Sequence, residues 1–73
     1  MPARPLDLEV MHGSRHVDGG TFQATGDPGN AAWLQGQLRD WLTAAKWQPS
    51  RWREFRLIAR PAGRNGPRTE VRP

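Results

Sequence analysis

Leu6-Asp7-Leu8-Glu9-Val10-Met11-His12-Gly13-Ser14-Arg15-His16-Val17 is the stretch that decides the fold. In its first half apolar and acidic residues alternate, so Leu6, Leu8 and Val10 point to one side of an extended chain and Asp7 and Glu9 to the other. Gly13-Ser14 then reads as a two-residue hairpin turn, because Gly at the first central position supplies the positive φ of type II′. Counting outward pairs Met11 with His16, Val10 with Val17 and Glu9 with Asp18. That register leaves Phe22 on the wrong face, and one extra residue at Gly19-Gly20 restores it to the core side. A rival reading places the turn at Asp18-Gly19-Gly20 and makes one long first strand.

Downstream, Asp27-Pro28 reads as the N-cap and first position of a helix. Apolar residues at Ala31, Leu34, Leu38, Trp41, Leu42 and Ala45 then fall on one helical stripe, and Pro49 ends the helix near Trp47. Gly36 lies on the outer face, where either it is tolerated or something approaches closely. A third strand is expected over Trp52-Arg53-Glu54-Phe55-Arg56-Leu57-Ile58-Ala59-Arg60, with Phe55, Leu57 and Ala59 on the core face. The residues from Pro61, with an Asn65-Gly66 turn signal, read as a basic tail or as a short edge strand, since Pro67 permits only an edge position.

Assembled, this is a small α+β protein: strand-strand-helix-strand, with one amphipathic helix on one face of an antiparallel sheet and the first strand in the middle. Residues 1–60 form a single ββαβ domain and 61–73 the tail or edge. The opposite face of the sheet carries Asp7 and Glu9, where Arg56 and Arg60 on a neighbouring strand would serve as cross-strand partners.

Size and composition limit what such a domain can do. Of 73 residues 36% are hydrophobic and none is Cys, so neither a disulfide framework nor a thiolate zinc site is available. Leu, Ile, Val and Phe number only twelve, about 16%, and four tryptophans make up the deficit in burial. Nothing approaches a membrane span or the apolar core of a secretory signal, so a soluble cytoplasmic protein is expected.

The net charge of +4 is uneven. From Pro49 onward seven Arg face two Glu, a balance of +5, whereas residues 1–48 carry four cations and five acids. Arg beside Trp is the composition that grips phosphate and stacks on unpaired bases. It is equally the composition of protein-interface hot spots, and a GC-rich genome writes such an Arg excess by codon bias alone.

Neither catalysis nor metal binding is expected. Ser14, His16 and Asp18 would line one strand face about 6.6 Å apart, too far for a nucleophile and its base, and no pocket offers an oxyanion donor. His12 and His16 straddle the turn with only carboxylates to complete a metal shell. No cofactor and no small-molecule substrate are called for. A protein partner is expected at Trp33, Trp47, Arg51, Trp52 and Arg53, the side chains that helix and strand phases leave uncommitted, or self-association through a bare sheet edge. The alternative is DNA or RNA binding through Arg51, Trp52, Arg53, Arg64, Arg68 and Arg72.

The order of the Gly-turn hairpin, Gly20-Thr21-Phe22, the Ala/Trp/Leu helix and the closing segment with Trp52, Arg53, Arg56 and Leu57 resembles small uncharacterised accessory proteins of actinobacteria and their phages. The resemblance covers about residues 6–60. It implies the ββαβ layout and a phage or mobile-element origin but no activity, and it assigns no functional residue; the reading from the residues is a non-enzymatic binding module, accessory or regulatory in role.

Overall fold

Alternation in the first segment becomes strand β1 (Arg4–His12), whose Leu6, Leu8 and Val10 are completely buried while Asp7 and Glu9 lie half-buried on the other side. The computed structural model describes residues 3–63 and 68–73. Strand β2 (Arg15–Gly26) follows across the expected turn. Gly13 has φ +63° and Ser14 does not share the positive region, as type II′ requires, and the ladder closes with His12 opposite Arg15 and Met11 opposite His16.

The irregularity foreseen at the glycine pair is larger than one residue. Val10 alone stands against Val17, Asp18, Gly19 and Gly20 before pairing resumes with Glu9 opposite Thr21. The expected pairs of Val10 with Val17 and Glu9 with Asp18 therefore do not form. Three extra residues shift the faces as one would, so Phe22 does reach the core side, opposite Leu8. The two glycines serve different needs. Gly19 takes φ +72°, and Gly20 is packed so that a Cβ would stand 3.0 Å from the Val17 carbonyl oxygen and 3.1 Å from that of Val10.

Helix α1 (Ala31–Ala44) starts three residues later than the Asp27 cap predicts. Asn30 is the N-cap and accepts a hydrogen bond from the Trp33 N–H at 3.0 Å. Asp27 instead closes a turn, its side chain accepting from the Gly29 N–H at 2.8 Å and its carbonyl from the Asn30 N–H. With Asn30 as cap, Gly29 and Asn30, both poor helix formers, stay outside the helix. The helix also ends short of Trp47. The Trp47 N–H reaches the Leu42 carbonyl, the Lys46 N–H reaches that of Thr43, and Lys46 adopts φ +65°, which together make a Schellman terminus. Leu34, Leu38 and Leu42 are the fully buried ridge; Trp41 is half-buried, and Ala31 and Ala45 are exposed.

Pro49–Glu54 forms a 3₁₀ helix where the alternation predicts the start of the third strand. Here Arg51 and Glu54, three apart, eclipse and pair, and this local bond holds Trp52, Arg53 and Glu54 out of the ladder. Strand β3 is therefore Phe55–Pro61, with Phe55, Leu57 and Ala59 buried against the helix as expected. Of the two readings of the residues after Pro61, the edge strand forms: β4 (Thr69–Val71) pairs antiparallel with β3 and adds Val71 to the core. The sheet order is β2-β1-β3-β4, with every neighbour antiparallel and α1 on one face.

Candidate functional site

The five residues expected to meet a protein partner divide into two places. Trp47, Arg51, Trp52 and Arg53 gather at the corner where α1 gives way to the 3₁₀ helix. The Schellman turn sends Trp47 inward, edge-on to Phe55 and to His12, with ring centroids 4.8 and 5.5 Å away. His12 stacks flat on Phe55 at 4.3 Å. Trp52 donates its indole N–H to the Trp47 carbonyl at 3.0 Å.

Glu54 ties the corner together. It accepts two hydrogen bonds from the Arg51 guanidinium, both 2.9 Å, and its Oε1 lies 2.8 Å from His12 Nε2. Arg51 and His12 hold its carboxyl well below the usual range, at about 2. Arg51, in turn, lies over the Trp47 ring, 5.3 Å from its centroid. Both indoles and Arg51 are thus partnered within the fold; Arg51 and Arg53 are both exposed, and Arg53 makes no ion pair among the described residues.

Trp33 sits elsewhere, near the start of α1, where its ring covers Gly26 at the end of β2. Eleven residues of α1, Leu34 to Ala44, lie between it and the turn that carries Trp47, roughly 16 Å of helix. The arginines of the nucleic-acid alternative are also dispersed. Arg68 and Arg72 are exposed on either side of β4, at the sheet edge, and Arg64 lies outside the described residues.

The uncovered face of the sheet carries Asp7, Glu9, Met11, Arg56, Ile58, Arg60 and Glu70 in register. Its acids are paired, but not with the partners expected. Arg56 bonds to Glu70 and to the Gly13 carbonyl, Glu9 bonds to His16, and Asp7 accepts from the Gln23 amide at 2.9 Å. Arg56 stands opposite Met11, not an acid, and the short edge strand supplies the carboxylate it reaches. Arg60 does stand opposite Asp7, without an ion pair among the described residues. A groove of about 410 Å³ runs between Asp7, Glu9, Thr21, Gln23, Ile58 and Arg60. Phe22 is the one aromatic residue that lines it, and it stands opposite Leu8 on the helix-side face.

His16, through its bond to Glu9, is engaged away from Ser14 and Asp18. Among the described residues no cluster of three or more His, Cys, Asp or Glu is placed to hold a metal, and no helix is long and apolar enough to cross a membrane.

The outer edge of β2 is the feature that the sequence names only in general terms. β2 has β1 on one side and no strand on the other among the described residues. From Gly19 to Gly26 it contains no charged residue and no proline, in a chain that is 25% charged. Natural edge strands are ordinarily blunted by such residues. No protein-family profile, curated protein or solved structure matches the chain significantly.

Proposed function

We propose that this chain is a non-enzymatic protein-binding module, an accessory or regulatory protein of phage or mobile-element type, that recruits its partner along the β2 edge. The observation that carries this reading is the run Gly20–Gly26, an uncharged edge with no strand beside it among the described residues, ready for strand addition. Trp33 flanks it with a half-buried indole, the residue type that anchors interfaces.

The nucleic-acid alternative has less support. Arg51 is bound to Glu54, the open face carries Asp7, Glu9 and Glu70, and the indoles pack on the helix side. A polyanion needs a basic floor with exposed rings.

Capture from lysate by the wild-type protein and by Gln23→Pro, each with and without nuclease, tests the reading. A protein partner retained after nuclease and lost from Gln23→Pro, an untagged copy of this chain included, supports it. Capture that nuclease abolishes overturns it in favour of nucleic acid, and affinity for that nucleic acid would then fall steeply with salt.

A further inference from the structure

Resting on the proposed use of the β2 edge, we infer that its occupant is a second copy of this chain, joined antiparallel about a two-fold axis through Gln23. The segment Gly20-Thr21-Phe22-Gln23-Ala24-Thr25-Gly26 reads nearly the same in both directions. Gly20 mirrors Gly26, Thr21 mirrors Thr25, and Phe22 mirrors the smaller Ala24. A two-fold axis demands this property, because residue i must meet j while j meets i.

The backbone phase fits as well. Pro5 has no N–H, and its carbonyl accepts from the Ala62 N–H at 3.1 Å, so the polar groups of Pro5 face β3. Pairing in an antiparallel ladder alternates. Across β1 and β2, then, the pairs Pro5–Thr25, Asp7–Gln23 and Glu9–Thr21 are the non-bonded ones. Thr21, Gln23 and Thr25 consequently aim their N–H and C=O groups at the free edge.

In the two-fold arrangement Gln23 exchanges both backbone bonds with Gln23 of the second copy. Thr21 does the same with Thr25, and Thr25 with Thr21. Every outward group of the segment finds a partner. The side chains agree too: Phe22 meets Ala24 on the helix face, large against small, and Thr meets Thr on the open face. Each copy carries a net charge of +4, yet the segment brings no like charges together. The four-stranded sheets would merge into one of eight, with β4 strands at its ends.

The chain has no cysteine, so single-cysteine variants read the register directly. Gln23→Cys places its two copies opposite one another, with Cα atoms about 5.5 Å apart, inside disulfide range. Mild oxidation should convert it to a covalent dimer. Thr21→Cys sets its copies four residues out of step, roughly 14 Å apart, and should stay uncrosslinked. Equal crosslinking of the two, or none at Gln23, overturns the register.

Sedimentation of the wild-type protein should give a dimer that weakens on dilution, and Gln23→Pro, which removes an outward donor without touching the β1 ladder, should be a folded monomer by circular dichroism. As a second route, Thr21→Lys with Thr25→Lys opposes like charges and should dissociate the dimer. Thr21→Lys with Thr25→Glu opposes unlike ones and should restore it. Wild-type protein that remains monomeric at about 1 mM overturns the dimer. The broader protein-binding reading falls separately, through nuclease-sensitive capture.

Discussion

The indole of Trp33 occupies the place where a side chain on Gly26 would begin: a Cβ there would lie 2.3 Å from ring atom Cη2 and 2.4 Å from Cζ2. These atoms belong to a large ring fixed at the start of α1, not to the end of a flexible chain. Gly26 is therefore required for close approach, and its φ is not positive. Gly26→Ala must displace the ring or the strand end and is expected to cost about 1–3 kcal/mol, as overpacking does. Urea unfolding followed by tryptophan fluorescence measures it. Stability equal to wild type would show that the ring is free to move.

The helix offers the opposite test, because two of its residues are poorly suited to their positions. Gly36 sits inside α1 with open space around the place of a Cβ, so Gly36→Ala should gain about 1 kcal/mol from helix propensity alone. Lys46 holds the left-handed position of the Schellman terminus at φ +65°, where a β-carbon costs roughly 1 kcal/mol. Lys46→Gly should recover most of that. The sites are ten residues apart without a shared partner, so the gains should add in the double variant. Denaturation midpoints of the four proteins decide the matter.

These positions also mark how far the sequence could be read. The alternation of Leu6 to Val10, the Gly13 turn and the Leu34, Leu38, Leu42 ridge are periodic signals, and each became the element its period predicts. The errors lie at boundaries, where one short-range bond outcompetes another. Asp27 and Asn30 are both good caps, and only the position of Gly29 between them favours the later one. Lys46 ends α1 in the left-handed position that Gly usually holds, three residues before the Pro49 stop signal. Trp52 to Glu54 alternate like a strand, but the Arg51–Glu54 pair is available only three residues apart, which a strand cannot offer. The bulge was legible as a need for Gly at 19 and 20, but its size was not, because one and three extra residues restore the same face. In the candidate site, the two-way reading of residues 20–26 was present in the sequence and acquires meaning only once β2 is known to be an edge.

Glu54 links acid stability to the Trp47 corner. Its carboxyl is held at about 2, against an ordinary 4.5, by Arg51 first and His12 second. The folded state thus prefers the ionised form, so this contribution is complete above about pH 4.5 and is lost as pH falls toward about 2. Glu54 is partly solvent-exposed, and the effect is screened accordingly. Glu54→Gln should flatten the stability profile between those limits while leaving neutral-pH secondary structure intact. Thermal scans of both proteins at a series of pH values measure the difference, and parallel profiles would remove Glu54 from the acid transition.

Trp41 stabilises the bulge from the helix side. Its indole N–H donates to the Gly19 carbonyl at 3.1 Å, a polar bond that ties α1 to the irregular part of β2. Without that donor the carbonyl must turn to water, which its exposed position allows, so the loss is modest. Trp41→Phe should cost about 1 kcal/mol in global stability, most of it from the hydrogen bond and the smaller ring. The more specific consequence is local. Gly19 and Gly20 have no ladder partner in β1, so losing the indole bond frees them first, and their amide exchange should rise more than at Phe22 and Ala24, which pair regularly with Leu8 and Leu6. Uniform acceleration along β2 would mean that the indole stabilises the whole strand and not the bulge.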